Sequence, residues 1–354
     1  MVFEIPDNKY PFFAHYKMLF VPKFLLVETQ KIVLLKIIMD MKKQLLLTAT
    51  LLFAVFAARA QKMDTARILV HYKFTWVRDT THRDHPYAEN MVLYIGKSAG
   101  AYRSYDGIVY KAQFKKAFAE AAAASPDGHP MINRRGVGTN VEYYQFPNEQ
   151  KLFTKDQLMT NSYLIDGSMP IIDWKTSGDT ATFGGLHCQK ATCHFKGRDY
   201  TAWFCPDLPV HIGPWKLNGL PGVIVDARDA KNEVVFKFDG VEKAIPTPPK
   251  SHAAVAEKDQ PPILRDLDDD MNLIGSPPRT IKTTQKEFDK MNQTMQKDPQ
   301  AFAEAMNANN RANAQGDGVK MDQIRVGTGH GPRGPVINNP IELPEKNEPT
   351  VRFK

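Results

Sequence analysis

Phosphate-binding glycine loops, a dinucleotide fingerprint and an H-E-x-x-H zinc motif are all missing from this 354-residue chain, so nothing in it calls for a nucleotide cofactor or a zinc peptidase. Cysteine is scarce. There are three, Cys188, Cys193 and Cys205, and none stands in the C-x-x-C spacing that makes a tight pair of metal ligands. No segment repeats with a fixed period. A large excess of one charge is missing too. The net charge is +7, but the first 60 residues hold eight Lys or Arg against four Asp or Glu, which leaves +3 for the rest. So weak a field recruits neither nucleic acid nor an anionic membrane surface. No cofactor is expected.

What is present begins at Met41. Lys42 and Lys43 precede an apolar run from Leu45 to Ala58, and Ala58-Arg59-Ala60 precedes Gln61. A positive n-region, an h-region and a small-x-small site make the layout of a secretory signal peptide over 41–60. The run is shorter than the ~20 residues a membrane span takes, so an uncleaved anchor is the weaker account, and no transmembrane span is expected in the mature chain. Residues 1–40 read as an upstream start-site extension. Export, to the periplasm or the cell surface, exposes the cysteines to oxidising conditions in which a disulfide persists.

The mature chain reads as strand-rich. Ala66–Trp76 and Met91–Ile95 carry β-branched and aromatic residues, Val109–Ala124 reads as a helix, and Gly136–Phe146 and Leu158–Ile165 as further strands. From Ala181 to Val241 the β signal is dense and is punctuated by turns at Lys196-Gly197, Pro221-Gly222 and Ala230-Lys231-Asn232. Strands at short spacing with such turns predict an antiparallel sheet. Accordingly 61–245 is read as the β-rich domain, 246–282 as a Pro-rich linker, 283–311 as short helices and 312–354 as loop or disordered tail. Thr284 with Glu287 makes a capping box, and Asp298-Pro299 starts a second helix.

A disulfide follows from register. With Lys196-Gly197 as a two-residue turn, Phe195 opposes Arg198, and Cys188 then falls opposite Cys205 in a non-hydrogen-bonded pair. Such pairs bring Cα atoms to ~4.5 Å, within disulfide range. Cys193 falls opposite Tyr200 as a free thiol. A three-residue turn would shift the register by one and abolish the pairing.

Three constellations tempt a catalytic or metal reading. Gly96-Lys97-Ser98-Ala99-Gly100 matches the G-x-S-x-G elbow, which needs a strand, a sharp turn and a helix. Here a second, aromatic strand follows, so a hairpin loop is the simpler account. His187, Cys188, Cys193, His194 and Cys205 suggest zinc, yet Cys188 and Cys193 point to opposite faces of a strand, and His187 and Cys193 lie roughly 20 Å apart at ~3.3 Å per residue. Asp266, Asp268 and Asp270 fit the start of a calcium loop, but Met271 and Pro277 stand where Gly and Glu belong. The aromatics Phe195, Tyr200, Trp203, Phe204 and Trp215 suit a sheet covered on both faces, or one lining a ligand cavity.

Gly219-Leu220-Pro221-Gly222-Val223-Ile224 is the most specific stretch. It resembles the motif that names the GLPGLI family of bacterial exported proteins, with Val223 replacing the second Leu. Cys188 to Ala191, Gly197-Arg198, Ala202-Trp203 and Gly213-Pro214 stand at the family's spacing upstream. Met91 to Gly96, the run near Ser104, and Asn339-Pro340-Ile341-Glu342 look like its outer landmarks. The resemblance implies export and a β-rich fold. It implies no reaction, cofactor or catalytic residue. The motif itself has a backbone reading: Pro221 and Gly222 suit the centre of a type II turn.

The sequence therefore predicts a mainly antiparallel, strongly curved sheet, half-barrel-like, with a few helices packed on it. It predicts a non-catalytic secreted or periplasmic envelope protein that binds an apolar ligand, a peptide or a membrane-protein partner. The alternative is a serine hydrolase using Ser98.

Overall fold

In a computed structural model of the chain, the described residues are 34–45, 48, 63–124, 138–159, 161–245, 271–314 and 336–345. The chain divides into two units, Met1–Ala60 and Gln61–Lys354. In the first, helix α1 covers 34–45; nearly all of the apolar run of 45–58 lies outside the described residues. No helix among the described residues is long and apolar enough to cross a membrane.

The second unit is built on strands. They are β1 (Asp64–Thr65), β2 (Ile68–Trp76), β3 (Tyr87–Ile95), β4 (Gly100–Ser104), β5 (Glu142–Phe146), β6 (Lys151–Leu158), β7 (Asn161–Asp166), β8 (Lys175–Phe183), β9 (Leu186–Phe195), β10 (Arg198–Cys205), β11 (Val223–Asp229), β12 (Val234–Lys243), β13 (Leu273–Ile274) and β14 (Ile281–Thr284). The helices are α2 (Tyr105–Ala124), α3 (Gln285–Lys297) and α4 (Pro299–Ala314). Twelve strands form one sheet in the order β14-β7-β6-β5-β4-β3-β2-β12-β11-β10-β9-β8; β1 and β13 make a separate two-stranded sheet. Every pair in the large sheet is antiparallel except β14–β7. The sheet curves without closing, and β14 and β8 form its ends. The predicted mainly β fold is therefore the observed one.

Alternation sets the two faces. Val70, Tyr72, Phe74, Met91, Leu93, Ile95 and Tyr102 enter the main core with Tyr200, Phe204 and Phe236. Their neighbours Val92, Tyr94, Ala101, Tyr144 and Phe146 point the other way, into a second core with Ile274. Helix α2 lies against β3. Helix α3 seals the β7 end, where Phe288 packs with Leu158, Tyr163 and Ile165. Its N-terminus is the expected capping box: the Thr284 side chain accepts from the Glu287 N–H, and the Glu287 carboxylate accepts from the Thr284 N–H.

Several boundaries differ from the sequence reading. Leu158–Ile165 is not one strand but straddles a hairpin: β6 ends at Leu158, the chain reverses at Met159, φ 54, and β7 begins at Asn161. Tertiary pairing with β6 lets Asn161 and Ser162 sit in a strand their propensities disfavour. Within the span read as linker, 271–282 holds β13 and the start of β14, each paired with a strand far away in sequence. Within the span read as tail, 336–345 lies hydrogen-bonded on the β domain. Asp266, Asp268 and Asp270 lie outside the described residues.

Candidate functional site

The β9–β10 hairpin organises the site. Lys196 and Gly197 adopt φ 51 and 69, the two positive values a tight two-residue hairpin turn requires. Phe195 opposes Arg198, and the ladder runs without a slip to Gln189 and Phe204. The next pair along is Cys188 and Cys205, and these form a disulfide with Cα atoms 4.1 Å apart. The free, buried Cys193 opposes Tyr200. Burial, with Asp199 adding to it, pushes its thiol up to about 12, so it is a poor nucleophile at neutral pH.

Between β10 and β11 the chain leaves the sheet for residues 206–222 and folds back over the main face. Ile212, Trp215, Leu217 and Leu220 are buried there. Trp215 stacks on Phe236 with centroids 6.3 Å apart and rings within 13° of parallel, and it packs against Phe195 and Tyr200. Three hydrogen bonds from the buried Gln145 on β5 hold this plug. Its Nε2 donates to the Gly213 and Trp215 carbonyls, both at 2.8 Å, and its Oε1 accepts from the Gly213 N–H at 3.2 Å. The Tyr72 hydroxyl donates to the Ile224 carbonyl at 2.7 Å. Gly100 is where Ile212 seats, since a Cβ there would overlap its Cδ1.

The GLPGVI segment, Gly219 to Ile224, is the exit of the plug. The expected type II turn is not what forms. The Gly222 N–H donates to the Leu220 carbonyl at 2.8 Å, a three-residue γ-turn centred on Pro221. Gly222 has φ +152, far from the ~+80° of a type II turn. The physical reason is the neighbour: the Cys205 backbone lies so close that a Cβ on Gly222 would overlap its carbonyl, and φ +152 is a conformation glycine alone adopts freely. Leu220, Val223 and Ile224 are buried around this corner. The motif thus joins the plug to β11, which pairs with the disulfide-bearing β10.

The other sequence candidates have structural partners. Ser98 lies in the turn between antiparallel β3 and β4, so the strand–turn–helix setting of a nucleophile elbow is absent around it. Asp64 accepts from the Ser98 N–H at 2.7 Å, the Ala99 N–H at 3.2 Å and the Ser98 hydroxyl at 3.3 Å. Burial raises the Asp64 carboxyl, but hydrogen bonds from the Ser98, Lys97 and Thr65 N–H groups outweigh it and hold the group below the usual carboxylate range, which makes it a weak base for the Ser98 hydroxyl. His187 pairs with Asp207 and His194 with Asp199 and Glu345. No cluster of metal-ligating side chains is found among the described residues.

A second constellation was not assembled from the sequence. At the start of β10, Arg198 is buried and uses every donor of its guanidinium. Nη1 bonds Asp229 at 2.6 Å and Glu233 at 3.1 Å. Nε donates to the Ile341 carbonyl at 2.8 Å, and Nη2 to Asn339 Oδ1 at 2.7 Å and the Pro340 carbonyl at 2.8 Å. Asp229 Oδ1 also accepts from the N–H groups of Glu233 and Val234. Burial raises the Glu233 carboxyl, but hydrogen bonds from Arg83, Arg198 and Asn339 outweigh it and hold the group below the usual carboxylate range. Gly197-Arg198 and Asn339-Pro340-Ile341-Glu342 were both legible as landmarks; that one reads the other was not, because 141 positions separate Arg198 from Asn339.

No family model matches the chain, and no curated protein matches it. Among solved structures it is similar to one described as PNGF-II, in two crystal forms. The first match has 11% identity and a TM-score of 0.40 over 65% of this chain and 32% of the other. The second has 10% identity and a TM-score of 0.41 over 64% and 32%. The chain therefore spans about a third of that protein's length, and overlap this loose carries no argument about activity.

Proposed function

We infer that this chain is a non-catalytic, exported protein of the cell envelope, a member of the GLPGLI family, that works by binding a peptide or protein partner. The observation that carries the choice of partner is the filled face of the sheet. Where a half-barrel carrier would hold an apolar ligand, this chain places its own Ile212, Trp215, Leu217 and Leu220. That occupancy favours a surface-acting protein over a lipid carrier. The signal-peptide layout of 41–60 and the Cys188–Cys205 disulfide support export. Membership rests on the sequence resemblance.

Native mass spectrometry of the protein purified from its own envelope tests this reading. The expected species begins at Gln61, lacks two hydrogens for one disulfide, and carries no lipid-sized adduct. A lipid that stays bound under native conditions and leaves on denaturation would show that the plug yields to a ligand, and would overturn the reading.

A further inference from the structure

Residues 338–345 touch the domain as a peptide ligand touches its receptor. Only one of them, Asn339, is fully buried, and it is read from every side. Its Nδ2 donates to the Val77 carbonyl at 2.8 Å and to Glu233 at 3.1 Å. Its Oδ1 accepts from Arg198, its carbonyl from Trp76 Nε1 at 2.8 Å, and its N–H donates to the Arg78 carbonyl at 3.0 Å. Asn338 beside it bonds Thr80 and Asp79. Further along, the Leu343 N–H donates to the Lys196 carbonyl, Glu342 pairs with Lys196 and Lys216, and Glu345 accepts from the Gly197 N–H and pairs with His194. Ile341 packs at the margin of the main core.

This is recognition by main-chain hydrogen bonds with one side-chain anchor, the way extended peptides dock. The groove also demands such an occupant. Without the strap, Arg198 Nε and Nη2 and Trp76 Nε1 lose every partner given above, and an unpaired buried donor is costly. Three successive carbonyls, of Asn339, Pro340 and Ile341, and the Asn339 carboxamide satisfy them. Basic Lys196, Lys216 and His194 at the far end suit acidic side chains.

The geometry points to a peptide-binding groove between the 77–80 loop and the β9–β10 hairpin. It takes extended peptides of the pattern Asn-Pro-aliphatic-acidic, and the chain's own Asn339-Pro340-Ile341-Glu342 occupies it as an internal competitor. A partner peptide displaces the strap by filling the Asn339 pocket. The site deepens the partner-binding reading but stands on the strap contacts, so it survives even if native mass spectrometry finds a lipid.

The test uses the full chain with a protease recognition sequence placed within 315–335, cut after folding. A fluorescent synthetic peptide of residues 336–345 is then added, beside a version with Asn339→Ala and a scrambled one. Uncut full-length Asn339→Ala protein serves as a second receptor, in which the internal competitor is weakened and no cleavage is needed. Expected is saturable exchange of the wild-type peptide into both receptors, with the Asn339→Ala peptide at least ~10-fold weaker, as for a buried anchor residue, and the scrambled peptide silent. Absence of exchange in both receptors would make the strap a fixed structural element and overturn the proposal. Equal binding of the three peptides would overturn it as well.

Discussion

Two irregular segments lie on the same sheet and are held in opposite ways. The plug, 206–222, buries Ile212, Trp215, Leu217 and Leu220 with little side-chain charge. The strap, 336–345, buries Asn339 alone and is otherwise fixed by ion pairs and hydrogen bonds to Arg198, Lys196, Lys216 and His194. Apolar burial is proportional to area and is not subject to charge screening or titration, whereas exposed ion pairs are screened and contribute little each. The plug therefore belongs to the cooperative core. The strap belongs to the part of the molecule that can open locally while the core stays folded.

The sharpest way to break this contrast is to cut into the plug. Trp215→Ala removes a buried ring stacked on Phe236 and should cost about 3–5 kcal/mol. Chemical denaturation is expected to show one transition moved to lower denaturant; a transition that splits in two would mean the plug is a separate unit. Gly222→Ala follows. Its φ of +152 and the Cys205 carbonyl leave no room for a methyl group, so strain and overpacking together should cost on the order of 2–4 kcal/mol. Loss of less than ~1 kcal/mol would mean the corner relaxes easily.

A strap substitution should look different. Asn339→Ala leaves Arg198 Nη2 and Glu233 short of a partner, a local cost of about 1–3 kcal/mol. Hydrogen exchange should quicken at position 339 and at Leu343 while amides of β10 and β11 stay protected. If strand and strap amides quicken together, the strap is part of the core.

The smallest effect is that of pH on the strap's end. Hydrogen bonds to the carboxylates of Asp199 and then Glu345 raise the His194 imidazole above its ordinary 6.5. The Gly197 N–H and then His194 hold Glu345 below its ordinary 4.5. The histidine contribution is complete below 6.5 and fades as pH rises through the raised folded value. The glutamate contribution is complete above 4.5 and fades as pH falls through the lowered one. The Gly197 amide should be best protected between those two ordinary values, after correction for intrinsic exchange, with Lys196 and Asp199 as the other charges nearby. A flat profile across pH 4–8 would remove His194 and Glu345 from the latch.

Local chemistry made much of the scaffold readable. Lys196-Gly197 fixes the β9–β10 register, and that register alone brings Cys188 to Cys205. Thr284 and Glu287 start α3, and the strand after Gly100 identifies the Ser98 turn as a hairpin loop. The Pro221-Gly222 corner was legible as a turn but not as the γ-turn it is, because the carbonyl that shapes it belongs to Cys205 on another strand. The hairpin at Met159 was missed because methionine, which takes the positive φ there, is not a residue type that signals a turn.

By itself, then, the sequence determined the β character, the disulfide and the helix cap, since each depends on residues a few positions apart or on a register counted outward from one turn. Only the tertiary structure decided that 206–222 fills the main face and that Arg198 binds Asn339. Gln145 holds the plug from 68 and 70 positions away and Arg198 meets Asn339 across 141, and no local period or propensity encodes which distant carbonyl a buried donor will find.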